Sequence, residues 1–267
     1  MQTCLASKGL QKPQPQHLSA NFPLGYNKHV LATVDSTNAE ATRIAGSLSS
    51  PTWILGLNQT DGRGRGGRQW ADPTGNFAAT LVLFPDDPLQ TRVLRSFVAA
   101  VALFDALVAL TGRAEAFSLK WPNDVLLNGA KLAGILLETI PLSAGRSALA
   151  IGVGVNLVET PSLSQLASGS MPPVSLKGVT GTTVIAEEFL DFLAASYAAC
   201  EEQFATFGFE PIRRAWLARA ARLGESMTAR SAQSEISGIF DTIDETGHLI
   251  LNTAYGKKAI GAADVFF

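Results

Sequence analysis

The sequence predicts an α/β chain of the α+β type: a mixed or antiparallel sheet backed by helices, with a small β-barrel at the C-terminal end. Three observations lead there. Short apolar strand candidates recur between positions 30 and 155, and Asn128-Gly129 stands between two of them as a hairpin turn. Two longer segments carry apolar residues at helical spacing. From position 226 onward only short strands and turns can be read, about 45 residues that are too few to hold a core alone and must dock on the rest.

Residues 1–25 are polar, with Pro13 and Pro15, and read as a flexible tail. Residues 30–34 are the first strand candidate. Asp35-Ser36-Thr37 then opens a helix, with Thr37 and Glu40 spaced as a capping box. Residues 53–57 are a second strand, and residues 58–76, rich in Gly and Arg, read as a long loop. A strand at 77–84 precedes a helix whose Leu94, Phe97, Val98, Val101, Phe104 and Val108 share one face. Strands follow at 118–121, 125–128, 131–140 and 147–155, and then loop-like sequence over 157–182. A helix over 183–207 sets Ile185, Phe189, Phe192, Leu193, Tyr197, Cys200 and Phe204 on one face, and Gly208 stops it. A shorter helix, with Pro211 in its first turn and Trp216 inside, ends at Gly224. Turns at 244–247 and 255–256 divide the last strands. The division expected is a tail (1–25), a main domain (26–224) and a small C-terminal β domain (225–267).

Composition excludes several classes of function. The 267 residues carry 21 Lys+Arg against 23 Asp+Glu, a net charge of −2, which is unlike a general nucleic-acid binder. Cys4 and Cys200 are too few for a disulfide framework and lack zinc-site spacing, so a reduced, cytoplasmic setting is expected. Residues 1–25 hold no apolar run long enough for a secretory signal. The apolar stretch at 97–110 is broken by Asp105 and reads as a buried helix, not a membrane span.

The chemistry concentrates in five segments. GRGRGGR at 62–68 alternates Arg63, Arg65 and Arg68 with glycines; guanidinium groups suit phosphate oxygens, and glycine lets the backbone approach a ligand. Gly62, Gly64 and Gly67 also spell G-x-G-x-x-G, but Trp70-Ala71-Asp72-Pro73 and a strand follow where a dinucleotide fold needs a helix. An RGG-type nucleic-acid patch would usually repeat within a disordered tail, whereas this run occurs once between apolar strands, and a flexible solvated loop stays open as the bland alternative. KWPND at 120–124 places Lys120, Asn123 and Asp124 at a strand end, as a magnesium and phosphate site or as an ordinary turn. In KLAGILLE at 131–138, a two-residue turn at Asn128-Gly129 pairs Lys131 with Leu126 and makes Lys131 and Asp124 diagonal neighbours on one face. That is a catalytic pair or a surface ion pair. GVGVN at 152–156 leaves one strand face bare, for a flat group ending at Asn156 or for close packing. Ser36-Thr37-Asn38 is a helix start, where capping and ligand binding by free N–H groups coexist.

Taken in order, STN at 36–38, Gln59, GRGRGGRQW at 62–70, KWPND, KLAGILLE and GVGVN resemble the biotin–protein ligase family. The resemblance is close over about residues 30–157 and looser to the C-terminus, where that family has a small SH3-like barrel. It implies an enzyme that activates biotin with ATP to biotinyl-5′-AMP and transfers biotin to a lysine of a biotin carboxyl carrier protein. It assigns Ser36, Thr37, Asn38 and Gln59 to the biotin ureido ring. Arg63, Gly64 and Arg65 would close over biotin and the adenylate, and Lys131 would meet the biotin carboxylate and the α-phosphate. Asn123, Asp124 and Asn156 would serve the nucleotide, with Arg68, Trp70 and Lys120 beside it and Mg2+ on Asp124. Lys131, Asp124 and Arg65 are the expected catalytic residues. Gly66 departs from the pattern, since the family often has Arg there. The first 29 residues are too short for the DNA-binding domain that some relatives carry, so no DNA binding is expected, and no membrane partner. A homodimer stays open. So do two rivals: a lipoate ligase or octanoyl transferase of the same fold, and a non-catalytic biotin-binding relative.

Overall fold

The computed structural model describes residues 20–162, 171–231, 234–261 and 263–266. In chain order its elements are β1 (Asn27–Leu31), α1 (Thr37–Ile44), β2 (Thr52–Gly56), β3 (Gly62–Arg63), β4 (Gln69–Trp70), β5 (Phe77–Leu83), α2 (Leu89–Arg92) and α3 (Arg95–Thr111). Then come β6 (Phe117–Lys120), β7 (Asp124–Leu127), β8 (Ala130–Pro141), β9 (Ser147–Val155), α4 (Leu176–Thr180), α5 (Ala186–Phe207) and α6 (Phe209–Leu217). The C-terminal strands are β10 (Ser226–Arg230), β11 (Glu235–Ile243), β12 (Leu249–Thr253), β13 (Gly256–Ile260) and β14 (Asp264–Phe266).

Seven strands form the main sheet in the order β1-β2-β5-β9-β8-β7-β6. β1 and β2 run parallel and the other neighbours antiparallel, so the sheet is mixed, as the sequence predicts. Alternation along the central strands divides two layers. Trp53, Leu55, Phe77, Ala79 and Leu81 join the large core with α3 and α5. Ile54, Val82 and Ala150 face the other way, onto Ala41 and Ala45 of the α1 segment. The stretch Leu89–Thr111 is long and apolar enough to cross a membrane, but most of it is buried in this fold as the core helix.

The C-terminal strands make a second, antiparallel sheet in the order β13-β12-β11-β10-β14. It docks as expected: Phe240, Ile243, Leu249 and Leu251 belong to the same core as Phe97 and Trp216. The Trp216 and Phe240 rings meet edge to face at 6.4 Å, and Trp121 Nε1 donates to the Gly247 carbonyl at 3.1 Å.

The structure moves several expected boundaries. The first strand lies at Asn27–Leu31, earlier than 30–34, because it is an exposed edge that its pairing with β2 defines and its hydropathy does not. Ser36, not Thr37, caps α1, accepting from the Ala39 amide, and Glu40 pairs with Arg43 instead of closing a capping box. The supposed long loop at 58–76 contains the β3–β4 hairpin. Within 157–182, α4 forms behind its Ser175 cap. α5 begins at Ala186, leaving Ile185 as an exposed N-cap and not part of the buried face. α6 ends at Leu217 and not at Gly224, since Arg219 and Ala221 turn to hydrogen-bond the backbone of Leu119 on the edge strand β6. Of the expected tail, residues 1–19, with Cys4, lie outside the described residues, while Phe22 packs against the core.

Candidate active site

The β7–β8 turn sets the first feature of the site. Asn128 and Gly129 both have positive φ, 51° and 77°, the conformation that a two-residue hairpin matching strand twist requires. Leu126 then pairs with Lys131 as predicted, but a bulge follows, and Asp124 comes to lie opposite Gly134. The bulge keeps the diagonal contact: Lys131 Nζ stands 2.7 Å from Asp124 Oδ1. Asn123 next to it is spent in part on the backbone, donating to the Ile135 carbonyl at 2.6 Å. Burial draws the Lys120 ammonium below its usual value; Asp124 opposes the shift and Lys131 adds to it.

The bare strand face is filled from within the chain. A Cβ on Gly154 would fall 2.5 Å from the Trp70 ring, one on Gly134 would lie 3.2 Å from the same ring, and one on Gly152 would strike the Asn38 side chain. Glycine at 152 and 154, and to a lesser degree at 134, gives α1 and the hairpin the room to press on β8 and β9. The flat group on this face is Trp70, whose ring also lies 5.7 Å from Lys131 Nζ. Asn156, at the end of the strand, is buried; its Nδ2 donates to the Val174 carbonyl at 3.1 Å. Its Oδ1 is enclosed with no hydrogen-bond partner among the described residues, a cost that a donor from a ligand would relieve.

At the other end of that face the start of α1 makes a polar recess. Ser36, Thr37 and Asn38 are all buried. The Thr37 amide donates to Gln59 Oε1 at 3.0 Å, which turns the Gln59 nitrogen toward Gly62. The hairpin closes over both ends. Arg63 reaches Glu138 at 3.4 Å, while Arg65 and Arg68 converge on Asp264 of β14, Arg68 at 2.9 Å. Arg65 also donates to the Ala263 carbonyl at 2.6 Å. Burial opposes ionisation of Asp264, yet Arg68 and Arg65 hold its carboxyl below the usual range.

These features enclose one cavity of about 420 Å³. Every residue singled out in the sequence lines it: Ser36, Thr37, Asn38, Gln59, Arg63, Gly64, Arg65, Arg68, Trp70, Lys120, Asn123, Asp124, Lys131 and Asn156. Thr80, Glu138 and Asp264 are polar groups of the site that sequence reasoning missed. The period-two face of β8, which sets Glu138 in line with Gly134 and Leu136, could have marked the second; nothing local marks Asp264. Chemically, the cavity joins a polar recess to a cluster of cations across an apolar floor. Among the described residues no group of three or more His, Cys, Asp or Glu side chains could hold a metal ion by itself.

Comparison with known proteins agrees with this geometry. Residues 30–156 match the Biotin/lipoate A/B protein ligase family, and residues 223–267 match the Biotin protein ligase C terminal domain. The biotin--[acetyl-CoA-carboxylase] ligase of Paracoccus denitrificans is 52% identical over 89% of this chain and 99% of its own length. The bifunctional ligase/repressor of Bacillus subtilis is 30% identical over 87% of this chain and 71% of its own. Among solved structures, the biotin protein ligase of Aquifex aeolicus in complex with biotin and ATP superposes with a TM-score of 0.78 at 26% identity, covering 90% of this chain and 98% of that one. By sequence over nearly its whole described length, and by fold, the chain belongs to the biotin–protein ligase family.

Proposed function

We propose that this chain is a biotin–protein ligase that makes biotinyl-5′-AMP from biotin and ATP and passes biotin to a lysine of a biotin carboxyl carrier protein. The observation that carries the reading is the single cavity in which a polar recess at α1 and a cluster of cations at Lys131 meet across the Trp70-covered glycine face. A bicyclic urea fits the recess, its valeryl chain the floor, and its carboxylate then reaches the cations. The neighbour from Aquifex holds biotin and ATP together, and the Paracoccus relative is named for an acetyl-CoA carboxylase.

In the first step a biotin carboxylate oxygen attacks the α-phosphorus, and the bond to the β-phosphate breaks as pyrophosphate leaves. In the second the carrier lysine amine attacks the mixed anhydride carbonyl, losing a proton as AMP departs. The protein supplies position and charge. Lys131 neutralises the carboxylate and α-phosphate as they approach, and Asp124 fixes the Lys131 ammonium. Arg65 and Arg68 serve phosphate oxygens, and Asn156 offers its open Oδ1 to an amino group of the base. Mg2+ takes few protein carboxylates and completes its shell with substrate phosphate and water, so Asp124 would hold it through the oxygen that Lys131 leaves free. When bound, the ion screens polyphosphate charge. We assign this chemistry to residues 26–224 and the support of the arginine hairpin to residues 225–267. Incubation with ATP and either biotin or lipoate, followed by mass spectrometry, tests the reading. Biotinyl-adenylate is expected; lipoyl-adenylate in its place would move the protein to the lipoate branch, and neither would make it a binding protein.

A further inference from the structure

Glu138 is drawn into two contacts through one oxygen. Its Oε2 accepts from Asn38 Nδ2 at 2.7 Å and from Arg63 Nη2 at 3.4 Å. Asn38 is buried, and its amide can sit only one way. Its nitrogen must face the carboxylate, which can only accept, and its oxygen then lies 2.5 Å from the Thr80 hydroxyl, which donates to it. Thr80 in turn touches the Thr37 hydroxyl at 2.8 Å, and the Thr37 amide donates to Gln59 Oε1 at 3.0 Å. The chain of contacts Gln59, Thr37, Thr80, Asn38, Glu138, Arg63 thus leaves the backbone just before the arginine hairpin and returns to it four residues later. It passes through α1, β5 and β8 on the way. Glu138 is the anionic member that closes this ring.

We infer that Glu138 is a positioning residue: through Asn38 it orients the polar recess, and through Arg63 it holds the base of the hairpin against β8. The recess for biotin's polar head and the strap over the adenylate are then coupled by one carboxylate. This rests on the ligase reading for its ligands but not for its geometry. Two variants separate the contacts. Glu138→Gln keeps a carbonyl oxygen for Asn38 and loses the charge that attracts Arg63. Glu138→Ala loses both.

The test is amide hydrogen exchange on the ligand-free full chain, with biotin affinity measured by calorimetry. In E138Q, amides of residues 62–70 should exchange up to about fivefold faster, the most that a half-exposed ion pair supports. Exchange in the first turn of α1 should stay within about twofold of wild type, since a neutral acceptor keeps the Asn38 bond, and affinity for biotin should fall less than in E138A. E138A should disturb both regions. Arg63→Gln combined with E138Q should speed the hairpin no more than either change alone, because each removes the same contact. Wild-type exchange at 62–70 in E138Q overturns the inference. So does equal acceleration of α1 and hairpin in that isosteric variant, which would mean a general loss of structure. Exchange is read without substrates, so a protein that makes no adenylate would refute the ligase reading and leave this result standing on its own.

Discussion

Lys131 has two anionic claimants, Asp124 at 2.7 Å and the substrate groups it is proposed to meet. Lys131→Ala should remove a charge-assisted contact worth about 1.5–3 kcal/mol. Adenylate formation should slow by roughly 10- to 150-fold, while the protein folds, and a pyrophosphate-release assay reads the loss. Asp72 is a different kind of residue. It lies outside the cavity lining, its Oδ1 is enclosed without a partner among the described residues, and burial pushes its carboxyl up to about 7. A carboxyl that binds its proton more tightly folded than unfolded favours the fold at low pH. Stability contributed by Asp72 should therefore fall as pH rises from about 4 through about 7. Asp72→Asn should flatten that slope and raise stability at pH 8 by on the order of 1–3 kcal/mol, as read by thermal melts across pH. An unchanged pH profile would show that water or another group satisfies the carboxylate.

Elements carry the next level of control. β8 and β9 offer three glycines to neighbours that need the space, and at Gly154 a Cβ would fall 2.5 Å from the Trp70 ring. Gly154→Ala should displace the ring. Overpacking of this kind costs about 1–3 kcal/mol, and with Trp70 lifted into the cavity turnover should drop by at least about tenfold. A crystal structure with Trp70 in place and full activity would contradict this. The GVGVN segment was legible as a bare face, but what covers it was not, because the indole comes from a hairpin some eighty residues earlier that has no hydropathic period. The Lys131–Asp124 pair was legible since Asn128-Gly129 fixes a two-residue turn, although the bulge that moves Asp124 opposite Gly134 leaves no local mark.

At the scale of the whole molecule, the C-terminal sheet completes the site. Its β14 brings Asp264 to Arg65 and Arg68, so a carboxylate from one end of the chain restrains a loop from the other. An empty site is expected to leave a glycine-rich loop mobile; these contacts oppose that with charge, since two arginines share one anion. Asp264→Ala should free the hairpin and let biotinyl-adenylate escape. Mixed with ATP, biotin and serum albumin, the variant should biotinylate albumin several-fold more than wild type. Equal labelling, with adenylate still formed, would show that the sheet contributes nothing to retention.

The sequence by itself determined the elements and the chemical inventory. Periodicity located α3, α5 and the central strands, and side-chain type marked the arginines, Lys131 and Asp124, because these signals are local. Beyond the Lys131–Asp124 pair, tertiary structure alone decided which polar groups meet. Glu138 reaches Asn38 across a hundred residues, and Asp264 reaches Arg65 across nearly two hundred. Such contacts arise from strand order and sheet docking, which depend on the sum of many weak packing terms, and no short window of sequence contains that sum.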